Sequence, residues 1–227
     1  MDGLIKRFNG KRSKTLLDLG CGTGNHDILF AKKGYQVVGI DRAREMITIA
    51  RKRMMSGDCV EFYVRDISKF VLRKKFDVAI SLFHVMSYLT SNELLIKSLR
   101  NVSKHLKKGG LFIFDFWYGP AVLAQRPARR IKKISDKSIN ITREAIPEIN
   151  FNENTVDIDY KVTVMNKNSG LSEMIKESHK MRYFFLPELN FMLSQVGFKI
   201  SESFKWLSTK DSLSPKSWSG VVIAKKD

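Results

Sequence analysis

Three glycines at alternate positions, Gly20, Gly22 and Gly24, end the run Leu16-Leu17-Asp18-Leu19-Gly20-Cys21-Gly22-Thr23-Gly24. Thr15 to Leu19 is a short apolar stretch, as in a buried parallel strand, and a helical pattern with Ile28, Leu29 and Ala31 follows from Asn25. A strand that breaks into glycines and restarts as a helix brings bare backbone up to a ligand at a helix N-terminus. Tyr35 to Ile40 reads as the next strand and closes on Asp41. A carboxylate at that strand tip has the geometry to accept hydrogen bonds from both hydroxyls of a ribose.

The surrounding elements must hold these residues at one edge. Leu4, Ile5 and Phe8 predict a short amphipathic helix ended by Asn9-Gly10. A second helix is expected from Ala43 to Met55, a third strand over Val60–Val64 that delivers Asp66, and a fourth over Phe76–Ser81 that opens into Phe83, His84 and Tyr88. Thr90 as N-cap with Glu93 three residues on predicts a capping box, and Lys107-Lys108-Gly109-Gly110 a helix stop. Leu111–Phe116 is a fifth buried strand. Strands and helices alternating in this way imply a parallel sheet with right-handed crossovers.

Beyond Trp117 the pattern turns antiparallel. Ile131, Ile134, Ile139 and Ile141 lie in one strand-like region, Val156 to Val164 alternates strictly with polar residues, and Glu173 to Tyr183 alternates again. These predict a three-stranded antiparallel sheet. A last helix with Pro187 at its first position follows, and two strands close the main sheet. The expected fold is α/β: a Rossmann-like, seven-stranded, mostly parallel sheet with helices on both faces. Residues 1–120 and 184–227 form its main domain and 121–183 an inserted antiparallel β-sheet.

Asp-Leu-Gly-Cys-Gly-Thr-Gly followed by Val-Val-Gly-Ile-Asp resembles the donor-binding motifs of class I S-adenosylmethionine-dependent methyltransferases. The resemblance implies S-adenosylmethionine as cofactor and carries roles residue by residue. Gly20, Gly22 and Gly24 would hold the methionine end, with Asp18 beneath their loop. Asp41 would take the ribose, and Met46 would lie against the adenine. Asp66 would accept from the adenine amino group, or else cap the turn after it, and the Ile67 amide would reach a ring nitrogen. Phe83 and His84 would line the transfer site. Asn25-His26, the run Phe114-Asp115-Phe116-Trp117-Tyr118-Gly119-Pro120 and the antiparallel insertion are similar to one subfamily, the nucleotide-sugar N-methyltransferases, and more distantly to small-amine N-methyltransferases. Two departures stand out. Tyr88 occupies the place of a histidine implicated in catalysis there, and the chain begins after the point where those enzymes carry a lid helix.

Methyl transfer asks the protein for alignment and for a group that keeps the amine neutral. His84 and Tyr88 are the catalytic candidates, with a backbone-bonded histidine and a core aromatic as the plain alternatives. Trp117 and Tyr118 are expected to wall the acceptor, and the basic cluster around Arg129 and Arg130 to meet its phosphates if it has any. His26 would orient the donor or cap its helix, His105 would face a helix dipole, and His179 reads as structural.

The net charge of +17 suits either a lysine-rich surface or a polyanionic partner, which keeps a nucleic-acid methyltransferase open as an alternative. Ser81-Leu82-Phe83-His84 is not the Asn/Asp-Pro-Pro-aromatic motif of base amino methylation, and neither Cys21 nor Cys59 is placed for carbon-5 chemistry. An inactive donor-binding regulatory subunit is the non-enzyme alternative. No metal site is expected from two cysteines. No apolar run approaches the ~20 residues of a membrane helix, so no membrane is expected. A reduced cytoplasm is the simplest compartment, and a homodimer through the inserted sheet is one expected assembly.

Overall fold

A computed structural model describes residues 1–10 and 13–227. The elements in chain order are α1 (Asp2–Asn9), β1 (Thr15–Leu19), α2 (Asn25–Ala31), β2 (Gln36–Asp41), α3 (Arg44–Lys52), β3 (Val60–Val64) and β4 (Phe76–Ser81). A 3₁₀ turn (Val85–Tyr88), α4 (Asn92–His105), β5 (Leu106–Tyr118), α5 (Gly119–Gln125) and four antiparallel strands follow: β6 (Arg130–Ser135), β7 (Ile139–Asn150), β8 (Thr155–Asn166) and β9 (Ser172–Phe184). The chain closes with α6 (Leu186–Ser194), β10 (Phe198–Lys205) and β11 (Ser219–Lys226).

The central sheet runs β3-β2-β1-β4-β5-β11-β10, parallel except for β11 and β10. Alternate residues of the buried strands divide the core in two. Leu16, Val37, Val78 and Ile113 face α1, α2 and α3 through Ile5, Phe30 and Ile47. Leu17, Val38, Ala79 and Phe112 face α4 and α6 through Leu95, Leu99 and Met192. This two-sided burial is why the strands read as continuous apolar runs.

Several local expectations change. The inserted region has four strands, because Asp136 Oδ1 accepts from the Ser138 and Ile139 amides and folds the Ile131–Ile141 stretch into a hairpin. The insertion is not a separate sheet: β9 pairs in parallel with the end of β5, Trp117 opposite Tyr183 and Tyr118 opposite Phe184. Ser91, not Thr90, caps α4, its Oγ accepting from the Leu94 amide. Pro187 is the second residue of α6, and α3 ends at Lys52. His105, at the end of α4, lies 2.8 Å through Nδ1 from the last-turn carbonyl of Asn101, and its Nε2 accepts the Leu72 amide at 3.0 Å, so it also ties the helix to the chain before β4. No helix among the described residues is long and apolar enough to cross a membrane.

Arg182 of β9 locks the insertion to the main body. Its buried guanidinium donates to Thr90 O, to Asn92 Oδ1 and to the Glu188 carboxylate at the start of α6. Arg182→Met leaves those acceptors without their shared cation. It is expected to cost about 2–3 kcal/mol in urea unfolding, since removing one partner of a buried charged network strands the other.

Candidate functional site

The carboxyl ends of β1, β2, β3 and β4 surround a cavity of about 270 Å³. Gly20, Asp41, Asp66, Ile67 and Tyr88 line it, as do Arg42 and Arg65, which local pattern did not single out. The loop after β1 is tied to the next strand, with the Gly20 and Cys21 amides both donating to Ile40 O. Asp41 extends that tie: Oδ2 accepts the Gly22 amide at 2.9 Å and Oδ1 the Ala43 amide at 2.8 Å. Each oxygen keeps a second lone pair, and the residue is only half-buried. Asp66 Oδ1 caps its own turn by accepting from the Ser68 amide and hydroxyl, so Oδ2 is the atom left for a ligand. Capping thus leaves the second oxygen of the same carboxylate free on the cavity side.

The glycines divide their work. A Cβ on Gly20 would sit 2.6 Å from a Val85 methyl, and one on Gly24 would sit 2.5 Å from the Phe62 ring. Gly24 therefore serves packing at the start of α2. Gly22 meets nothing, but its φ of +54° favours glycine. Of the three, Gly20 alone lines the cavity; Gly22 and Gly24 shape the loop from outside it. Met46 is exposed on α3 and is not a lining residue, while Arg42 occupies that side. Asp18 is buried beneath the loop beside Asp27, and oxygens of both carboxyls lack partners among the described residues. Burial pushes Asp18 upward, reinforced by the neighbouring Asp27, and burial pushes Asp27 up to about 7.

A second cavity, of about 360 Å³, lies between the end of β4 and the inserted strands. His84, Tyr88 and Trp117 line it from the main body, and Arg143, Tyr160 and His179 from β7, β8 and β9. Tyr88 and His179 border both cavities, and the Tyr88 hydroxyl lies 2.9 Å from His179 Nδ1. His179, expected to be structural, thus stands where the two cavities meet. Burial raises the Tyr88 phenol above its ordinary value, so it stays protonated.

His84 is anchored. Its amide donates to both oxygens of Asp115, at 3.1 and 3.0 Å, and its Nε2 lies 2.8 Å from Ser219 Oγ and 3.3 Å from Asp115 Oδ2. Burial lowers His84 to about 4 and raises Asp115 to about 7, so the imidazole is neutral near pH 7 and a weak base. Phe83 and His84 both adopt left-handed backbone, at φ 64° and 65°. The Phe83 ring turns toward His26 and Trp206, borders an open apolar cavity beside α1 and α2, and touches the cavity under the inserted strands but not the one at the strand tips.

Three expected acceptor residues are elsewhere. Tyr118 packs edge-on against Phe116 at the core margin. Arg129 pairs with Glu144, and Arg130 is exposed on β6 opposite Ala145. The cation that reaches the cavity is Arg143, stacked 5.3 Å over Tyr160. Its signal was available: it lies two residues beyond Ile141 and shares that residue's face. Asp115 also left a trace, a carboxylate inside the apolar run Phe112–Phe116.

Residues 16–110 match the family model described as a methyltransferase domain. The chain is 32% identical over 120 residues to dTDP-3-amino-3,4,6-trideoxy-alpha-D-glucopyranose N,N-dimethyltransferase of Streptomyces venezuelae, an alignment covering 53% of this chain and 49% of that protein. The chain thus spans about half the length of this curated relative. Among solved structures it resembles an S-adenosylmethionine-dependent methyltransferase from Clostridium acetobutylicum, with TM-score 0.83, 22% identity and coverage of 99% and 89%. It also resembles DesVI of Streptomyces venezuelae, with TM-score 0.80, 21% identity and coverage of 99% and 88%.

The Asp18–Asp27 pair makes stability depend on pH. Both carboxyls hold a proton more tightly in the folded chain than in the unfolded one, so stability falls as pH rises from about 4 to about 7. Asp27→Asn supplies a permanent donor to Asp18. It is expected to raise Tm at pH 8 by several degrees and to change Tm less at pH 5, on the scale of ~2–4 °C per kcal/mol for a chain of this size. Differential scanning calorimetry at both values reads the difference.

Proposed function

We propose that this chain, built on the fold of the class I S-adenosylmethionine-dependent methyltransferases, methylates the nitrogen of a small amine, with a nucleotide-linked amino sugar as the favoured class. The observation that carries this is the meeting of two cavities at the Tyr88–His179 contact, one acidic at its strand tips and one aromatic.

The donor set fits S-adenosylmethionine. Asp41 offers the free lone pairs of both oxygens to the ribose hydroxyls, Asp66 offers Oδ2 to the adenine amino group, and the Ile67 amide is beside it. The donor supplies a methyl carbon on a sulfonium, open to in-line displacement by a neutral amine. On the acceptor side, Trp117, Tyr160 and the Glu177 carboxylate suit an amine, which is cationic in water. Arg143 on the same wall suits a phosphate of the acceptor, the role expected of Arg129 and Arg130. The named activity of the Streptomyces venezuelae relative supports the sugar class.

His84 serves this reading as an anchor, holding the turn that presents Tyr88, and Tyr88 as the group nearest the exchange of methyl and proton. Cys21 and Cys59 are free thiols, and burial pushes Cys21 far above its ordinary range, which suits a reduced cytoplasm.

Isothermal calorimetry is expected to give one S-adenosylhomocysteine site per chain with no competition from NAD. Asp41→Ala should weaken it tens- to hundreds-fold, about 2–4 kcal/mol for two charge-assisted hydrogen bonds. Unchanged affinity in that variant sinks the donor assignment. With dTDP-3-amino-3,4,6-trideoxyglucose as acceptor, mass spectrometry should detect added methyl groups. Binding to tRNA should be weak and steeply salt-dependent. Methyl incorporation into tRNA at ~0.15 M salt, without transfer to the sugar, would replace this reading with the nucleic-acid one.

A further inference from the structure

We propose that His179 and Glu177 of β9 form, with Tyr88, a relay that carries the acceptor's proton from the cavity beside Trp117 to solvent. The proposal rests on the amine methylation argued above. The Tyr88 hydroxyl is 2.9 Å from His179 Nδ1, and His179 Nε2 is 3.4 Å from Glu177 Oε2. Glu177 is 58% exposed, so the chain of groups opens outward. The imidazole is held edge-on by two tyrosines, Tyr88 at 5.8 Å and Tyr160 at 5.4 Å between ring centroids.

The partners decide the tautomer. An ionised Glu177 accepts hydrogen bonds and donates none, so His179 Nε2 carries the ring proton. Nδ1 is then a lone pair, and the Tyr88 hydroxyl donates to it. This is a hydroxyl–imidazole–carboxylate series in which each group orients the one before it. It spans the two parts of the fold: Tyr88 follows β4, while His179 and Glu177 come from the insertion. His84 offers no such route, because its Nε2 is engaged with Ser219 and Asp115 deep in the fold.

The balance closes without a further reactant. The amine lone pair forms the N–C bond as the C–S bond breaks, and that bond's electrons stay on sulfur. The N–H proton passes to the Tyr88 oxygen while the Tyr88 proton passes to His179 Nδ1. His179 is then an imidazolium facing Glu177, and its Nε2 proton leaves through Glu177 to water. Net, one amine proton reaches solvent, Tyr88 and Glu177 return to their starting state, and His179 is left as the Nδ1–H tautomer, which proton exchange with water (gain at Nε2, loss at Nδ1) resets before the next turnover. The charged groups around the pair are Asp41 at the end of β2 and Arg42 after it, Arg65 and Asp66 after β3, Arg143 of β7 and Glu177 itself.

Two measurements test this. In protein labelled with ¹⁵N-histidine, long-range proton–nitrogen NMR should find His179 as the Nε2–H tautomer. Tyr88→Phe should shift the Nδ1 resonance, and Glu177→Gln should make the ring easier to deprotonate. An Nδ1–H tautomer, or an Nδ1 signal indifferent to Tyr88→Phe, overturns the relay. In turnover with the dTDP-amino sugar, His179→Gln should lower kcat at least tenfold, keep S-adenosylhomocysteine affinity within twofold and remove the acid limb of the kcat–pH profile. Tyr88→Phe combined with His179→Gln should lose no more than Tyr88→Phe alone; additive losses overturn the coupling. If the unaltered protein transfers no methyl to the sugar, it is the acceptor assignment that fails, and the NMR result still decides the hydrogen-bonded series.

Discussion

The site depends on one buried carboxylate. Asp115 is fully inaccessible in β5, yet it accepts the His84 amide with both oxygens and approaches the His84 ring. Those bonds hold Phe83 and His84 in left-handed backbone, which costs non-glycine residues about 1–3 kcal/mol each. Each such hydrogen bond contributes about 0.5–1.5 kcal/mol, or about 1.5–3 kcal/mol when the carboxylate is charged, and offsets part of that strain. The sharp turn sends the chain into the 3₁₀ segment Val85–Tyr88. Val85 thereby packs over Gly20, and Tyr88 stands between the cavities.

A second set of carboxylates shapes the donor side by a different balance. Asp41 is half-exposed and joins the tips of two neighbouring loops through backbone amides. Asp18 and Asp27 sit beneath the same loop with unpartnered oxygens, where burial favours their protonated forms. The exposed carboxylate is available to a ligand, and the buried pair supports the floor at a cost in stability above neutrality. Natural sites commonly carry such local costs where the surrounding fold compensates.

The insertion is coupled to the main body at three places. Its last strand extends β5 by two residue pairs, Arg182 ties it to α4 and α6, and His179 meets Tyr88. Between the last two contacts the strand alternation that buries Met181 turns His179 and Glu177 to the acceptor-side cavity. That cavity wall is therefore built by register, not by loop length.

The sequence by itself determined the frame. Apolar runs that end in glycine or aspartate on successive strands determine a parallel sheet with Gly20, Asp41 and Asp66 on one edge, because period and turn chemistry act over a few neighbouring residues. Strict alternation through Val156–Val164 likewise determined an antiparallel strand. Only the tertiary structure decided that Asp136 folds a hairpin, that β9 continues the central sheet, and that the Ile141–Arg143 face, and not Arg129 or Arg130, lines the cavity beside Trp117. It alone brought His179 to Tyr88 across 91 residues of chain and placed Asp115 under His84. Such pairings depend on cross-strand register and on which buried polar groups find partners, and neither is written in the pattern of any one segment.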